Sequence, residues 1–192
     1  MNYPYIVPPF EVKDFEEMSP KEARVHFDWF VGIIPDRMRL LEARILESFG
    51  DGGFELDYTK DSLLKVWTWY QKNVQIEEKS EEELAREKSL ANEITVSYIE
   101  AKKITPVWMA VALDISTYFA ECMVKNNPSL KWDVVTKPKS FAYVNKPVVV
   151  GYKYNMALDA SNIILVQTKK IIEENTSQDA LVVIFENWES LI

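Results

Sequence analysis

Apolar residues recur along this chain at helical spacing, then in short runs typical of strands, then at helical spacing again. Residues 1–18 stand apart. Pro4, Pro8 and Pro9 oppose helix, while Tyr3, Tyr5, Ile6, Val7 and Phe10 give the segment something to bury, which predicts an extended arm laid along the body. Ser19-Pro20-Lys21-Glu22 then reads as a helix start, with a capping serine, proline at the first helical position and glutamate at the third. Ala23, Phe27, Phe30, Val31 and Ile34 follow on one stripe. Gly32 weakens the end of this helix, and Pro35 reads as the first position of a second one. In that second helix Met38, Leu41, Ile45 and Phe49 face inward, Arg37, Arg39 and Arg44 point elsewhere, and Gly50-Asp51-Gly52-Gly53 stops the run. Two antiparallel helices joined by a short corner are expected.

A third helix is predicted from near Thr59 to about Val74, with Leu63, Trp67, Tyr70 and Val74 on its stripe and Trp69 near the boundary. Ser80-Glu81-Glu82-Glu83 is a second capping box and opens a fourth helix through about Ala91. Ile94 to Ile99 alternates as a strand would, but no turn residue intervenes, so the helix is expected to continue toward Lys103. Thr105-Pro106 begins the most informative helix. Trp108 to Met123 is apolar on nearly every face, the mark of a helix surrounded by protein, and Asn126-Asn127-Pro128 ends it. Lys131 to Thr136, Phe141 to Val144 and Pro147 to Tyr152 read as short strands, and two helices, about Ala160 to Glu174 and one after Ser177, close the chain. The fold class expected is α+β: a mostly helical single domain around a buried central helix at about 106–126, with a small antiparallel sheet at about 131–152.

Composition narrows the functions. Of 192 residues, 47% are hydrophobic, 5 are Gly and 1 is Cys, which excludes a disordered chain, collagen and a disulfide scaffold. Lys and Arg number 22 against 30 Asp and Glu, for a net charge of -8. The excess is uneven: the first 60 residues hold 12 acids and 7 bases, whereas Lys131 to Lys153 holds five lysines and one acid, Asp133. Aromatics interleave with those lysines, a pattern that single-stranded nucleic acid can use. Edge strands carry lysine for another reason, to prevent sheet-to-sheet pairing, and with an acidic whole no nucleic-acid partner is expected. Asp114 and Glu121 interrupt the apolar run Val107 to Val124, so no membrane span is expected, and no signal-peptide pattern opens the chain. A cytoplasmic, reducing setting is the expectation.

His26 is the only histidine and Cys122 the only cysteine, too few for a usual zinc site and without the partners of a nucleophilic triad. Asp51, Glu55 and Asp57 do not match an EF-hand loop, and neither a P-loop nor a dinucleotide fingerprint occurs, so no metal or cofactor is expected. The strongest local signal is on the central helix. Asp114, Tyr118, Glu121 and Lys125 fall at i, i+4, i+7 and i+11 and form one polar stripe. Its two carboxylates lie roughly 10 Å apart by helix rise, a little beyond an inverting glycosidase pair, and they point the same way. A buried network with tyrosine hydroxyls, arginines or Lys125 is the favoured reading. A cleft beside the helix and sheet, with Trp132 and Asp133 on its rim, is the other. Trp132, Asp133, Trp69 and His26 are the candidates for binding, with His26 expected to pack on Trp29.

Several phrases occur together: Phe27-Asp28-Trp29-Phe30 with Ile34-Pro35-Asp36-Arg37, and Leu56-Asp57-Tyr58-Thr59 leading into Trp67-Thr68-Trp69-Tyr70. A third is Leu113 to Glu121 followed by Leu130-Lys131-Trp132 and Pro147-Val148-Val149-Val150-Gly151. Across residues 20 to 190 this resembles a group of short, uncharacterised proteins of Gram-positive bacteria, with a D-x-x-x-Y-x-(G/A)-E helix before a Trp-containing strand. Ala120 stands here where that pattern often has Gly. Similar small α+β proteins include immunity proteins of polymorphic toxin systems, although the resemblance itself carries no activity. Two functions are therefore expected to compete. One is a protein–protein interaction, such as an immunity protein neutralising a basic toxin. The other is an enzyme using Asp114, Tyr118 and Glu121.

Overall fold

The longest element departs from expectation: in the computed structural model, α1 (Pro20–Phe49) is one helix of 30 residues with Pro35 inside it. Residues 3–49, 53–92 and 95–192 are described by this structure. A mid-helix proline removes a hydrogen bond and costs about 3 kcal/mol. The inward stripe outweighs that cost. Ala23, Phe27, Ile34, Met38, Leu41 and Ile45 run along one side of α1 without a break and are all buried. Each large apolar side chain so buried contributes roughly 1.5–3 kcal/mol. Pro35 itself lies on the exposed side, so no corner forms and no second helix begins. The start is as expected: Glu22 N–H donates to Ser19 Oγ at 3.3 Å, and Ser19 N–H donates to Glu22 Oε2 at 2.8 Å. Arg37 departs from expectation too, being turned inward and buried. The Gly50 to Gly52 stop, with Asp51, lies outside the described residues, as does the side chain of Phe49.

Beyond α2 (Lys60–Asn73), capped by the Thr59 side chain, the chain makes an excursion with little core of its own. Strand β1 (Ile76–Glu78) and β2 (Lys102–Ile104) pair antiparallel, with Glu77 opposite Lys103 and Glu78 opposite Lys102. Between them α3 (Glu81–Leu90) carries the expected capping box but buries no residue. The helix does not continue toward Lys103: it ends at Leu90, and Thr95–Tyr98 forms a single 3-10 turn. Ile94 lies outside the described residues. The strand that pairs with β1 comes later, at Lys102–Ile104, a non-local contact that no local pattern announces.

The central helix is α4 (Pro106–Asn126), with proline at its start. It packs against α1, α2, α5 (Ala160–Ile172) and α6 (Ala180–Glu189). By length and hydropathy α4 could cross a membrane, yet 72% of its apolar window is buried by the rest of the chain. A second sheet follows in the order β3 (Lys131–Val134), β4 (Pro147–Val150), β5 (Ala157–Leu158), all antiparallel. Trp132 pairs with Val149, and Val149 with Leu158. Phe141 to Val144, expected as a strand, is a run of turns instead, closed by Val144 N–H to Phe141 O at 3.0 Å. The two-residue β5 takes the third place in the sheet. The whole is a mixed α+β single-domain fold, 58% helical.

The arm lies along α1 and reaches α4. Tyr3 and Met18 are buried and Ile6, Phe10 and Phe15 half-buried, whereas Tyr5 and Val7 face solvent, so only part of its apolar content is covered.

Candidate binding site

The polar stripe of α4 does not converge on one point. Asp114 has no exposed surface and meets α1 and the arm: Arg37 donates from Nε to Oδ1 at 2.8 Å and from Nη2 to Oδ2 at 2.6 Å, and the Tyr3 hydroxyl donates to Oδ2. Burial raises the pKa of this carboxyl, with the bonds from Arg37 and Tyr3 acting against it. One turn on, Tyr118 faces the start of α2. Its hydroxyl accepts from Tyr58 N–H at 3.0 Å and lies 2.5 Å from Ser62 Oγ, and burial drives its pKa far up. Glu121 faces the sheet, accepting from Trp132 Nε1 at 2.7 Å with Lys125 Nζ 3.9 Å away. Each group is held by a different element, so the stripe fastens α4 to the arm, α1, α2 and β3. Burial pushes the Cys122 thiol up to about 12, where it is no nucleophile.

The four binding candidates divide. Trp69 is buried in α2 against Trp108, ring centroids 5.6 Å apart. Asp133 ties β3 to α1 through Arg24 at 3.5 Å and accepts from Val134 N–H. His26 and Trp132, 106 positions apart in sequence, share the wall of one cavity of about 270 Å³.

That cavity sits where the arm, α1, α4, β3, β4 and the start of α5 meet. Its aromatic walls interlock edge to face: Phe30 on Trp132 at 5.4 Å, Trp29 on His26 at 5.4 Å and Phe15 on His26 at 5.1 Å. Ile6 and Pro8 of the arm complete the apolar lining, and Ser116, Thr117, Lys146 and Ser161 supply polar groups. Ser116 and Thr117 donate their hydroxyl hydrogens to Leu113 O, which leaves their oxygens as acceptors. Lys146 Nζ lies 3.3 Å from Asp159 Oδ2. His26 packs on Trp29 as expected, is 7% exposed, and its Nδ1 has no hydrogen-bond partner. Burial lowers its pKa and favours the neutral ring. The sequence offers Phe30 as a core residue of the α1 stripe, Trp29 as the partner of His26, Ile6 as part of the arm and Lys146 within a lysine-rich stretch, but nothing in it gathers them with Ser161 at one site.

His26 also borders a second depression, of about 490 Å³, between the arm and α1. Phe10, Met18 and Val25 form its apolar part, and Glu11, Lys13, Lys21 and Glu22 line it too. Lys13 Nζ meets Glu22 at 2.6 Å, and this contact with the Ser19 cap holds the Glu22 carboxyl down to about 2. Glu11, Asp14, Glu16 and Glu17 are exposed and have no cation within ion-pair distance among the described residues.

No family model matches this chain, and no match was found among curated proteins or solved structures.

Proposed function

We propose that this protein acts by binding, and that the face formed by the arm and the first turns of α1 meets a basic protein partner, as an immunity protein meets a basic toxin. The observation that supports this is the unneutralised charge of that face. Between Glu11 and Glu22 the chain places five carboxylates against two lysines, and the fold pairs only Glu22, with Lys13. Like charges held together oppose folding, and the carboxylates of Glu11, Asp14, Glu16 and Glu17 are in no ion pair among the described residues. A concentrated negative field beside the apolar Phe10 and Val25 suits a cationic surface, steering the encounter and leaving apolar groups to hold the complex. The remainder of α1 is a rigid support for that face.

The test is capture by immobilised protein at low and high salt, comparing the natural chain with a Glu11→Lys, Glu16→Lys, Glu17→Lys triple variant. A basic protein should be retained by the natural chain at low salt, be released by high salt, and associate roughly tenfold or more slowly with the variant once purified. Equal association with both chains, or the absence of any basic protein among those retained, overturns the reading.

A further inference from the structure

The cavity beneath the arm plays no part in that reading, and it is set apart by the aromatic rings in its lining. Its volume of about 270 Å³ has room for roughly nine waters at about 30 Å³ each. It lies at a junction of several elements, where ligand sites tend to form. Ile6, Pro8, Trp29, Trp132, Lys146 and Ser161 in its wall are each partly exposed, so it reaches the surface.

Its two kinds of lining specify a ligand. The aromatic part, built from Phe15, Trp29, Phe30 and Trp132, offers ring edges and faces to a flat apolar body. The polar part is built around the Lys146–Asp159 ion pair at the start of α5, and what it can offer a ligand is the donors this pair leaves free. Lys146 has three donors, of which Asp159 takes one. Asp159 uses its other oxygen for Asn162 N–H at 3.0 Å and Ser161 Oγ at 2.6 Å. The first intrahelical bond of α5 runs from Ile163 N–H to Asp159 O, so the N–H groups of Ala160 and Ser161 precede the helical ladder at the positive end of a helix of 13 residues. His26, more than nine-tenths buried in the same wall, has its Nδ1 without a protein partner and adds a polar atom to the aromatic side.

We infer that this cavity binds a small aromatic monocarboxylic acid of about ten non-hydrogen atoms, with the ring among Trp29, Phe30 and Trp132 and the carboxylate at Lys146 and the first turn of α5. The basic-partner reading is not needed for it.

Phenylacetate and its neutral analogue 2-phenylethanol are the probes, titrated into the full chain by calorimetry and by amide and indole NMR shifts. Phenylacetate should saturate at one per chain and move the Trp132 indole N–H, Ala160 and Ser161. The alcohol should bind at least about tenfold more weakly, the worth of a charge-assisted hydrogen bond. Lys146→Met should bring the acid down to the alcohol and leave the alcohol unchanged. Leu113→Phe, which fills the cavity from α4, should weaken both; Ser161→Leu fills it from α5 and serves if the first variant does not fold. Absence of saturable binding, equal binding of acid and alcohol, or affinity indifferent to the filling variant overturns the inference.

Discussion

Arg37 closes on Asp114 through two parallel hydrogen bonds of 2.8 and 2.6 Å, joining α1 to α4 across 77 positions of sequence inside the core. The pair has little solvent to fall back on: the Arg37 side chain is 8% exposed and that of Asp114 not at all. Removing either partner strands a buried charge, so Arg37→Met or Asp114→Asn should lower the unfolding free energy by about 3–5 kcal/mol. Replacing both, as Arg37→Met with Asp114→Asn, should cost less than the sum of the single changes, because no charge is then left unpaired and the introduced amide can still accept from Tyr3. Urea unfolding of the three variants measures the difference, and additive losses would mean that the two side chains do not act as a pair.

His26 makes stability depend on acidity. Its pKa in the folded chain is depressed by burial below the 6.5 of a free imidazole. The unfolded chain therefore takes up a proton first as pH falls, and stability present above pH 6.5 declines through that value toward the lower folded one. His26→Phe should flatten this part of the profile. Thermal melts of both chains across mildly acidic pH check the sign; a steeper loss in the variant would reverse it.

Gly151 has φ of +115°, and a Cβ there would stand 2.3 Å from the carbonyl oxygen of Ser129. Backbone cannot withdraw as a flexible side chain would. Gly151→Ala should therefore destabilise by more than about 1 kcal/mol, read from the denaturation midpoint, while Gly32→Ala, with open space around its Cβ on a helix, should leave stability equal or improve it.

Amide exchange should separate α3 from α4. The former buries no residue and is held by its capping box and by charge pairs such as Lys79 with Glu87 at 2.6 Å; the latter is enclosed along most of its length. Local opening should expose α3 amides at least about a hundredfold faster than those of α4, as followed by mass spectrometry. Equal protection would place the excursion within the cooperative core.

How much of this was legible beforehand follows the reach of each interaction. Caps at Ser19 and Ser80 and the all-apolar face of α4 are local patterns, and the elements they announce are present, although Thr105 at the start of α4 makes no side-chain cap bond. Pro35 misleads because a proline is a local penalty, whereas the stripe that overrides it is satisfied only by α4 and its neighbours. Strands β1 and β5, three and two residues long, leave no periodicity to detect. The stripe at Asp114, Tyr118 and Glu121 could be seen, along with the need to pair it. That its members would turn to different elements could not, since Arg37 and Ser62 lie 77 and 56 positions from their partners; only Trp132, 11 positions from Glu121, is near in the chain. His26 and Trp132 were each visible as single residues. Their common cavity depends on the arm, whose course no spacing encodes.

The arm is fastened by hydrogen bonds at two places and by side-chain packing between them. At one end Tyr3 reaches Asp114, and Pro4 O accepts from Arg37 Nη1 at 3.0 Å; at the other Asn145 Nδ2 donates to the carbonyls of Phe15 and Met18 at 2.6 and 3.0 Å. From residue 5 to residue 12 no backbone hydrogen bond ties it to the body. Ile6 and Pro8, the cavity's outer wall, lie on that stretch, which Phe10 holds against Trp29 at 5.7 Å. One short segment therefore does two jobs: its first residues close over the buried charge pair, and its middle roofs the cavity.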